Sequence, residues 1–402
     1  MKEEFVPPEA RAEALAKARD KKMAKSSAAY VRGTTARFYN WLAGVKRGSL
    51  PEGPPIWICG DCHLGNLGPV ANDDKDIKIQ IRDFDQTVIG NPCHDLIRLG
   101  LSLASTARGS NLSGVVTAKL LDAILISYRG VLEGEDSPSP KPKILRRLTK
   151  KAKEADWRSL AEANIDDETP SIPLGRRFWP LSAEERREIE ALVERREICE
   201  LVRSASGRDD GAHVKLLDAA YWRKGCSSLG RLRYAVLLRI GAKGDGEHYC
   251  LLDLKEAANA AAPHASEVHM PNDQAERVVE GARNLSPYLG DRMRAATLLR
   301  KPIFARELMP EDLKIEIGRL EEDEAIDVAS YLAGIVGAAH ARQMDAATRK
   351  RWRSELRRRD AGDEAPSWLW RSVADLLADH ERAYLEHCRG YWEPAERSPA
   401  AR

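Results

Sequence analysis

Residues 60–70 read GDCHLGNLGPV, and residues 79–99 read IQIRDFDQTVIGNPCHDLIRL. Asp61 is followed five positions later by Asn66, and Asp83 opens an Asp-Phe-Asp triplet that closes an apolar, strand-like run. Phosphoryl transfer from a nucleotide needs an acidic group at the acceptor hydroxyl and two oxygen ligands for magnesium. A loop carrying Asp and Asn, followed by a second Asp, supplies all three. On this reading Asp61 orients the hydroxyl and takes its proton, Asn66 and Asp83 hold the metal, and His63 braces the loop through hydrogen bonds. Asp95, at a helix start, is expected either to cap that helix or to accept N–H bonds from the loop. A lone Asp-x-x-x-x-Asn is ordinarily a polar turn. The GDxHxxN form, with an Asp-Phe-Asp strand end and an Asp-Leu helix close behind it, is more specific.

Outward from this stretch, residues 8–47 are rich in Ala, Lys and Arg with apolar residues at helical spacing, which predicts helix. Tyr30, Phe38, Tyr39 and Trp41 fall on its expected core face. Arg32, just before Gly33, is either aimed at the loop or a plain surface arginine. After a break at Pro51–Pro55, IWIC (56–59) reads as a short strand, and DIKIQIRDF (76–84) alternates as a half-exposed strand does. Both candidate carboxylates then sit at strand ends around a hairpin-like unit. Helices are predicted from Asp95 onward, over 115–134, and over 181–196, where Ser182 and Glu185 form a capping-box pattern. Residues 135–180, rich in Pro, Lys and Arg, read as loops with short helices.

The pattern changes near residue 206. Residues 225–257 (GCSSLGRLRYAVLLRIGAKGDGEHYCLLDLKEA) hold a Gly-x-x-x-x-Gly turn, a strand, a glycine-rich turn and a second strand ending at Lys255. A glycine-rich turn lets backbone N–H groups approach phosphate oxygens. The next strand can then present a lysine to the same phosphates, held by a glutamate on the following helix. Gly225, Ser227, Ser228, Gly230 and Lys255 fit these roles, with Glu280 or Glu276 on the helix over 273–289 as partner. A strand follows over 301–310, and residues 311–357 are helical. Arg306, Glu307 and Lys314 read either as cleft-lining or as surface salt bridges. His94 and His340 read as packing residues. The basic tracts 141–153 and 349–359 are solvated helix faces or, as the alternative, binding sites for an anionic acceptor.

The chain has 402 residues and a net charge of +2, which gives no mark of a nucleic-acid or membrane binder. The N-terminal residues carry no apolar segment of a secretory signal, and no apolar run approaches the roughly 18 residues of a membrane span. Seven scattered cysteines suggest reduced thiols and a cytoplasmic location. Cys59 and Cys62 form a single C-x-x-C, weak evidence for metal or redox chemistry on its own.

GDCHLGN…IRDFDQTVIGNPCHDLIRL resembles the catalytic and metal-binding segments of aminoglycoside and choline kinase-like phosphotransferases, whose pattern is His-Gly-Asp-x-His-x-x-Asn, then Ile-Asp-Phe, then an Asp-Leu helix. Cys59 stands in place of the first His, and Arg82 precedes the metal aspartate. YLAGIVGAAHARQ (331–343) resembles a helix that in that superfamily comes before the catalytic loop. Across nearly its whole length the chain also resembles the bacterial family known as domain of unknown function 2252, through KMAKSSAAYVRG, GDCHLGNLG, SSLGRLRYAVLL, ERVVEGAR and ARELMPEDLK.

These resemblances imply an α+β, two-lobed protein-kinase-like fold in circularly permuted order, a small antiparallel-sheet lobe beside a larger, mainly helical one. Residues 1–205 would be the first part of the helical lobe with the catalytic and metal-binding loops. Residues 206–310 would be the nucleotide-binding unit, and 311–402 the remaining helices and tail. The implied activity is ATP- and Mg-dependent phosphotransfer to a small-molecule hydroxyl. The alternatives are a nucleotide-binding pseudoenzyme, AMP transfer by the same fold, and a metallophosphoesterase.

Overall fold

A computed structural model of the chain describes residues 5–72, 76–134, 140–154, 171–204, 208–209, 211–225, 229–241, 248–309, 321–360 and 367–390. It is a mixed α+β fold. The predicted N-terminal helical stretch is three helices: α1 (Arg11–Met23), α2 (Ser27–Gly33) and α3 (Thr35–Gly44). The break before α2 is made by Ser26, whose hydroxyl accepts the Ala29 N–H at 3.1 Å and caps the new helix. Tyr30, Phe38 and Tyr39 are buried, while Trp41 is partly buried and donates its indole N–H to Asp375.

Four short strands follow: β1 (Ile56–Ile58), β2 (Leu67–Ala71), β3 (Ile77–Ile81) and β4 (Val88–Gly90). The expected single hairpin-like unit is two separate antiparallel pairs, β2 with β3 and β1 with β4. The loop at 59–66 runs from β1 to β2, and the Asp83 triplet runs back from β3 to β4. The two crossings lie side by side, since the Asn66 carbonyl accepts the Arg82 N–H at 2.8 Å.

Helices α4 (Cys93–Gly109), α5 (Gly114–Leu132) and α6 (Lys143–Glu154) come next. Then come β5 (Phe178–Trp179), α7 (Ala183–Val193) and α8 (Arg196–Arg203). Both bonds of the Ser182–Glu185 capping box are formed at the start of α7.

The main sheet is built from β5, β6 (Val214–Trp222), β7 (Arg233–Ile240) and β8 (His248–Glu256). Helices α9 (Gln274–Leu285) and α10 (Pro287–Gly290) lead into its last strands, β9 (Met293–Leu298) and β10 (Lys301–Leu308). All neighbours are antiparallel, in the order β5-β6-β7-β8-β10-β9. Tyr234, Val236, Leu238 and Ile240 of β7 join one apolar cluster, with α7 and α8, while Ala235 and Leu237 join another on the opposite face. That period-two split is what a strand covered on both sides requires. The chain closes with α11 (Glu322–Ala341), α12 (Ala346–Arg359) and α13 (Trp368–Arg389).

The largest apolar cluster joins α4, α5 and α11 to β1–β4, and it also takes in Ala275, Val278, Val279, Ala282 and Leu285 of α9. The helix that follows the lysine strand is therefore packed onto the loop-bearing half. Among the described residues no helix is long and apolar enough to cross a membrane.

Candidate active site

The loop after β1 is clamped from below. Gly60 has φ +73°, and a Cβ there would lie 2.0 Å from the Gln86 carbonyl oxygen, so the turn admits only glycine. Asp95 is completely buried and accepts the N–H groups of Cys59 (2.8 Å) and Gly60 (2.9 Å). Of the two roles expected for Asp95, the bond to the loop is the observed one, as α4 begins after Pro92 with no side-chain cap. A third donor is His340 Nε2 at 3.2 Å. Its Nδ1 lies 2.9 Å from the Tyr128 hydroxyl, and in the tautomer whose Nδ1 accepts from that hydroxyl, Nε2 donates to Asp95. Trp352 in turn donates to Tyr128 at 3.0 Å. His340 is therefore a buried relay that ties α11 to the loop. Tyr39 donates its hydroxyl to the Gly60 carbonyl from above.

Asp61 is enclosed, with 7% of its surface exposed. Its Oδ1 accepts from Arg98 Nε at 2.7 Å and its Oδ2 from Thr35 Oγ1 at 2.8 Å. Arg98 is fully buried within the apolar helix α4. A buried charge needs such a partner, and removing either one would strand the other. His63 Nε2 lies 3.9 Å from Asp61 Oδ2, too far for a hydrogen bond, and its Nδ1 has no partner among the described residues. The expected bracing by His63 is thus absent. The loop is held instead by Asp95, by Ser102 Oγ accepting the Leu64 N–H (3.1 Å), and by Asn66. Burial pushes the His63 imidazole down to about 4, with Arg98 and Arg32 adding to the effect against Asp61, so it is neutral at neutral pH. Asn66 donates its amide to the Asp61 carbonyl at 2.9 Å, which orients its side-chain oxygen as the remaining polar atom.

The triplet end differs. Lys255 Nζ lies 2.6 Å from Asp85 Oδ2 and 3.2 Å from Asp83 Oδ1. The lysine and Asp85 side chains are 5% and 10% exposed, while that of Asp83 is 41% exposed. Lys255 and Asp83 are 172 positions apart in sequence. Burial works against charge on Asp83, but the Lys255 ammonium and the Arg233 guanidinium outweigh it and hold the carboxyl well below its ordinary range. Asp85 goes the other way. Burial and the neighbouring Asp83 charge raise it to about 6, against the pull of Lys255. Arg277 of α9 supports the turn from behind, donating to the carbonyls of Thr87, Asp85 (3.1 Å) and Ala258 (2.9 Å).

The helix glutamate expected beside Lys255 is not there. Glu276 and Glu280 are exposed, and the lysine's partners are Asp83 and Asp85. The inward face of α9 carries Arg277, Val278 and Gly281. A Cβ on Gly281 would meet Thr87 at 2.4 Å, so the helix lies too close to the triplet turn for any larger residue. Gly225 and Gly230 adopt φ +101° and +102° in the turn between β6 and β7, and Ser227 and Ser228 lie outside the described residues. That turn ends beside the site, with Arg231 3.9 Å from Asp85. Glu307 forms a buried pair with Arg208 at 2.6 Å rather than a surface bridge, and Arg306 donates to the Arg82 carbonyl. Lys314 is outside the described residues.

Three contributors had no place in the reading of the sequence: Arg98, Arg277 and Asp85. The signal for Arg98 was an arginine on an otherwise apolar helical stripe, which must find a partner. For Asp85 it was the second acid of the triplet itself.

Among the described residues no group of three or more His, Cys, Asp or Glu is placed to hold a metal. A magnesium bound jointly with a nucleotide needs only one or two protein oxygens, the rest coming from phosphate and water. Asp83, half-exposed and ionised, and the free amide oxygen of Asn66 fit that donor set. Cys59, Cys62 and Cys93 are free thiols, all fully buried, and burial pushes Cys93 far above an ordinary thiol.

A family match runs through the loop, the triplet and the lysine strand. The chain belongs to the DUF2252 family. The match, to "Uncharacterized protein conserved in bacteria (DUF2252)", covers residues 11–390. Comparison with curated proteins and with solved structures gives no match. In this DUF2252 chain the geometry therefore stands as the main guide to chemistry.

Proposed function

We propose that the protein is an ATP- and Mg-dependent phosphotransferase acting on the hydroxyl of a small molecule. The observation that carries this reading is the contact between Lys255 and the Asp83–Asp85 pair, with the Asn66 backbone alongside. The two carboxylates share Lys255, Arg231 lies 3.9 Å from Asp85, and the ionised Asp83 remains open to solvent. Such a site attracts a cation and, through the lysine and the Gly225–Gly230 turn, the phosphates that accompany it.

In this reading Lys255 holds phosphate oxygens while Asp83 and Asn66 hold the metal. Magnesium, when bound, would offset charge on the phosphate oxygens. Asp61 acts at the acceptor. Each of its oxygens has one partner and keeps a second lone pair, so it can still accept a hydrogen bond from the acceptor hydroxyl. The acceptor oxygen forms a bond to the γ-phosphorus as the bond from that phosphorus to the bridging oxygen breaks. The electron pair leaves on ADP, and the hydroxyl proton passes to Asp61.

The two-lobed kinase-like fold in permuted order belongs to the same proposal. Its support is the end of α11, where Gln343 exchanges two hydrogen bonds with the Trp57 backbone (2.8 and 3.0 Å) 286 positions away. A helix late in the chain thus abuts the start of the loop, as expected if it precedes the loop in the unpermuted order. Permutation is tolerated where the original ends meet at the surface.

One observation favours a second reading, a nucleotide-binding protein without transfer: the enclosure of Asp61 by Arg98 and Thr35. ADP release from Mg·ATP with an acceptor mixture separates the two. The phosphotransferase reading expects turnover that falls by about 10²-fold or more in Asp61→Asn. Turnover at the wild-type rate in that variant would remove Asp61 from catalysis, and nucleotide binding without turnover would favour the second reading.

A further inference from the structure

A cavity of about 630 Å³ opens beside Leu64 and Gly65, on the flank of the loop that carries Asp61. Its size suits a small molecule. Arg32 of α2 and Arg108 at the end of α4 both line it, and neither guanidinium is bonded to a described residue. Arg32 Nη1 would lie 3.4 Å from a Cβ on Gly65, and His63 Nδ1 would lie 3.3 Å from the same point. The enclosed, unpartnered ring nitrogen thus lies close to Arg32, behind the Leu64–Gly65 wall of the cavity. Ser105, also in the lining, is 2% exposed and its hydroxyl makes no hydrogen bond to any described residue. A buried hydroxyl left unsatisfied is a rare feature in a folded protein and points to an absent ligand or water. The lining contains one carboxylate, Glu381, which already accepts from Ser27 at 3.0 Å.

We propose that this cavity is the acceptor subsite, and that the acceptor is an anionic polyol whose phosphate or carboxylate is bound by Arg32 and Arg108. The role of acceptor rests on the phosphotransfer reading above; the choice of anion does not. Two free guanidiniums against one carboxylate make the cavity lining net positive, and the guanidinium fork matches both phosphate and carboxylate oxygens. A ligand hydroxyl finds Ser105, the unsatisfied hydroxyl of the lining. A cationic acceptor would meet two arginines against the single carboxylate Glu381.

The test uses two probes, glycerol 3-phosphate and glycerate, titrated calorimetrically into the full chain with and without Mg·ATP. At least one is expected to bind, and the stronger identifies the anion. Arg32→Ala is expected to weaken binding by about tenfold or more, and Ser105→Ala by about threefold. Both arginines are exposed, so Arg32→Ala and Arg108→Ala are not at risk of misfolding. Mg·ATP affinity is the control, expected unchanged in Arg32→Ala and lost in Asp83→Ala. If Mg·ATP binds through Asp83 but neither probe binds in an Arg32-dependent way, the cavity inference is overturned and the phosphotransfer reading stands. If a probe binds through Arg32 but Mg·ATP does not bind, the phosphotransfer reading fails and with it the role of acceptor.

Discussion

The loop and the triplet lie side by side in the fold but treat their carboxylates in opposite ways. At the loop, Asp61 is enclosed and each oxygen has a fixed donor, one of them the buried Arg98. At the triplet, Asp83 and Asp85 share one lysine and Asp83 is 41% exposed. The first arrangement is balanced and rigid. The second leaves the ionised Asp83 open to solvent, and it has split its two acids, Asp83 held low by Lys255 and Arg233 and Asp85 raised to about 6. A cation is therefore expected at the triplet, while the loop is expected to contribute orientation and a proton acceptor.

The largest effect should come from breaking the balanced end. Arg98→Met leaves the Asp61 carboxylate buried without its ion partner and should destabilise the fold by about 3–5 kcal/mol in chemical denaturation. Asp83→Asn, at the open end, should change stability by no more than about 1 kcal/mol. Equal losses in the two variants would erase the contrast.

A smaller effect concerns pH. The folded-state value of Asp85 near 6 stands above the ordinary carboxylate value of about 3.9. Its protonated form is thus favoured by folding. Its contribution to stability is full below about pH 4 and is lost as pH rises through about 6. The slope should vanish in Asp85→Asn. Asp83→Asn should lower the Asp85 midpoint, because the Asp83 charge is one of its causes, and added magnesium should lower it too. Chemical denaturation across pH reads the slope, and carboxyl-carbon NMR titration of Asp85 reads the two midpoints. A midpoint unmoved by Asp83→Asn would uncouple the pair.

The smallest effect is at the helix. Glu280→Gln should leave stability within about 0.5 kcal/mol and Mg·ATP affinity unchanged, since Glu280 is exposed and away from Lys255. A loss of nucleotide affinity in this variant would restore the glutamate to the site.

The glycine and aspartate spacing of residues 60–99 was legible, because a tight turn and a clamped loop demand specific residues at fixed offsets. So was the lysine at the end of β8. The lysine's partner was not. Glu276 and Glu280 share a face, but a one-residue rotation of α9 decides whether that face or the one with Arg277 and Gly281 turns inward, and the tight contact at Thr87 settles it. Strands β6 and β9 escaped notice because KLLDAAYW and MRAATL are rich in Leu and Ala and carry little β-branched or alternating signal. The enclosure of Asp61 depends on Arg98 and Thr35, which come from two helices on either side of it in sequence, and no local pattern joins them.

The most direct measurement is the thermal shift produced by Mg·ATP in the wild type and in Asp83→Ala. The open-triplet account predicts a Mg-dependent rise in melting temperature for the wild type that Asp83→Ala loses. The same rise in both proteins would contradict it and remove Asp83 from the metal.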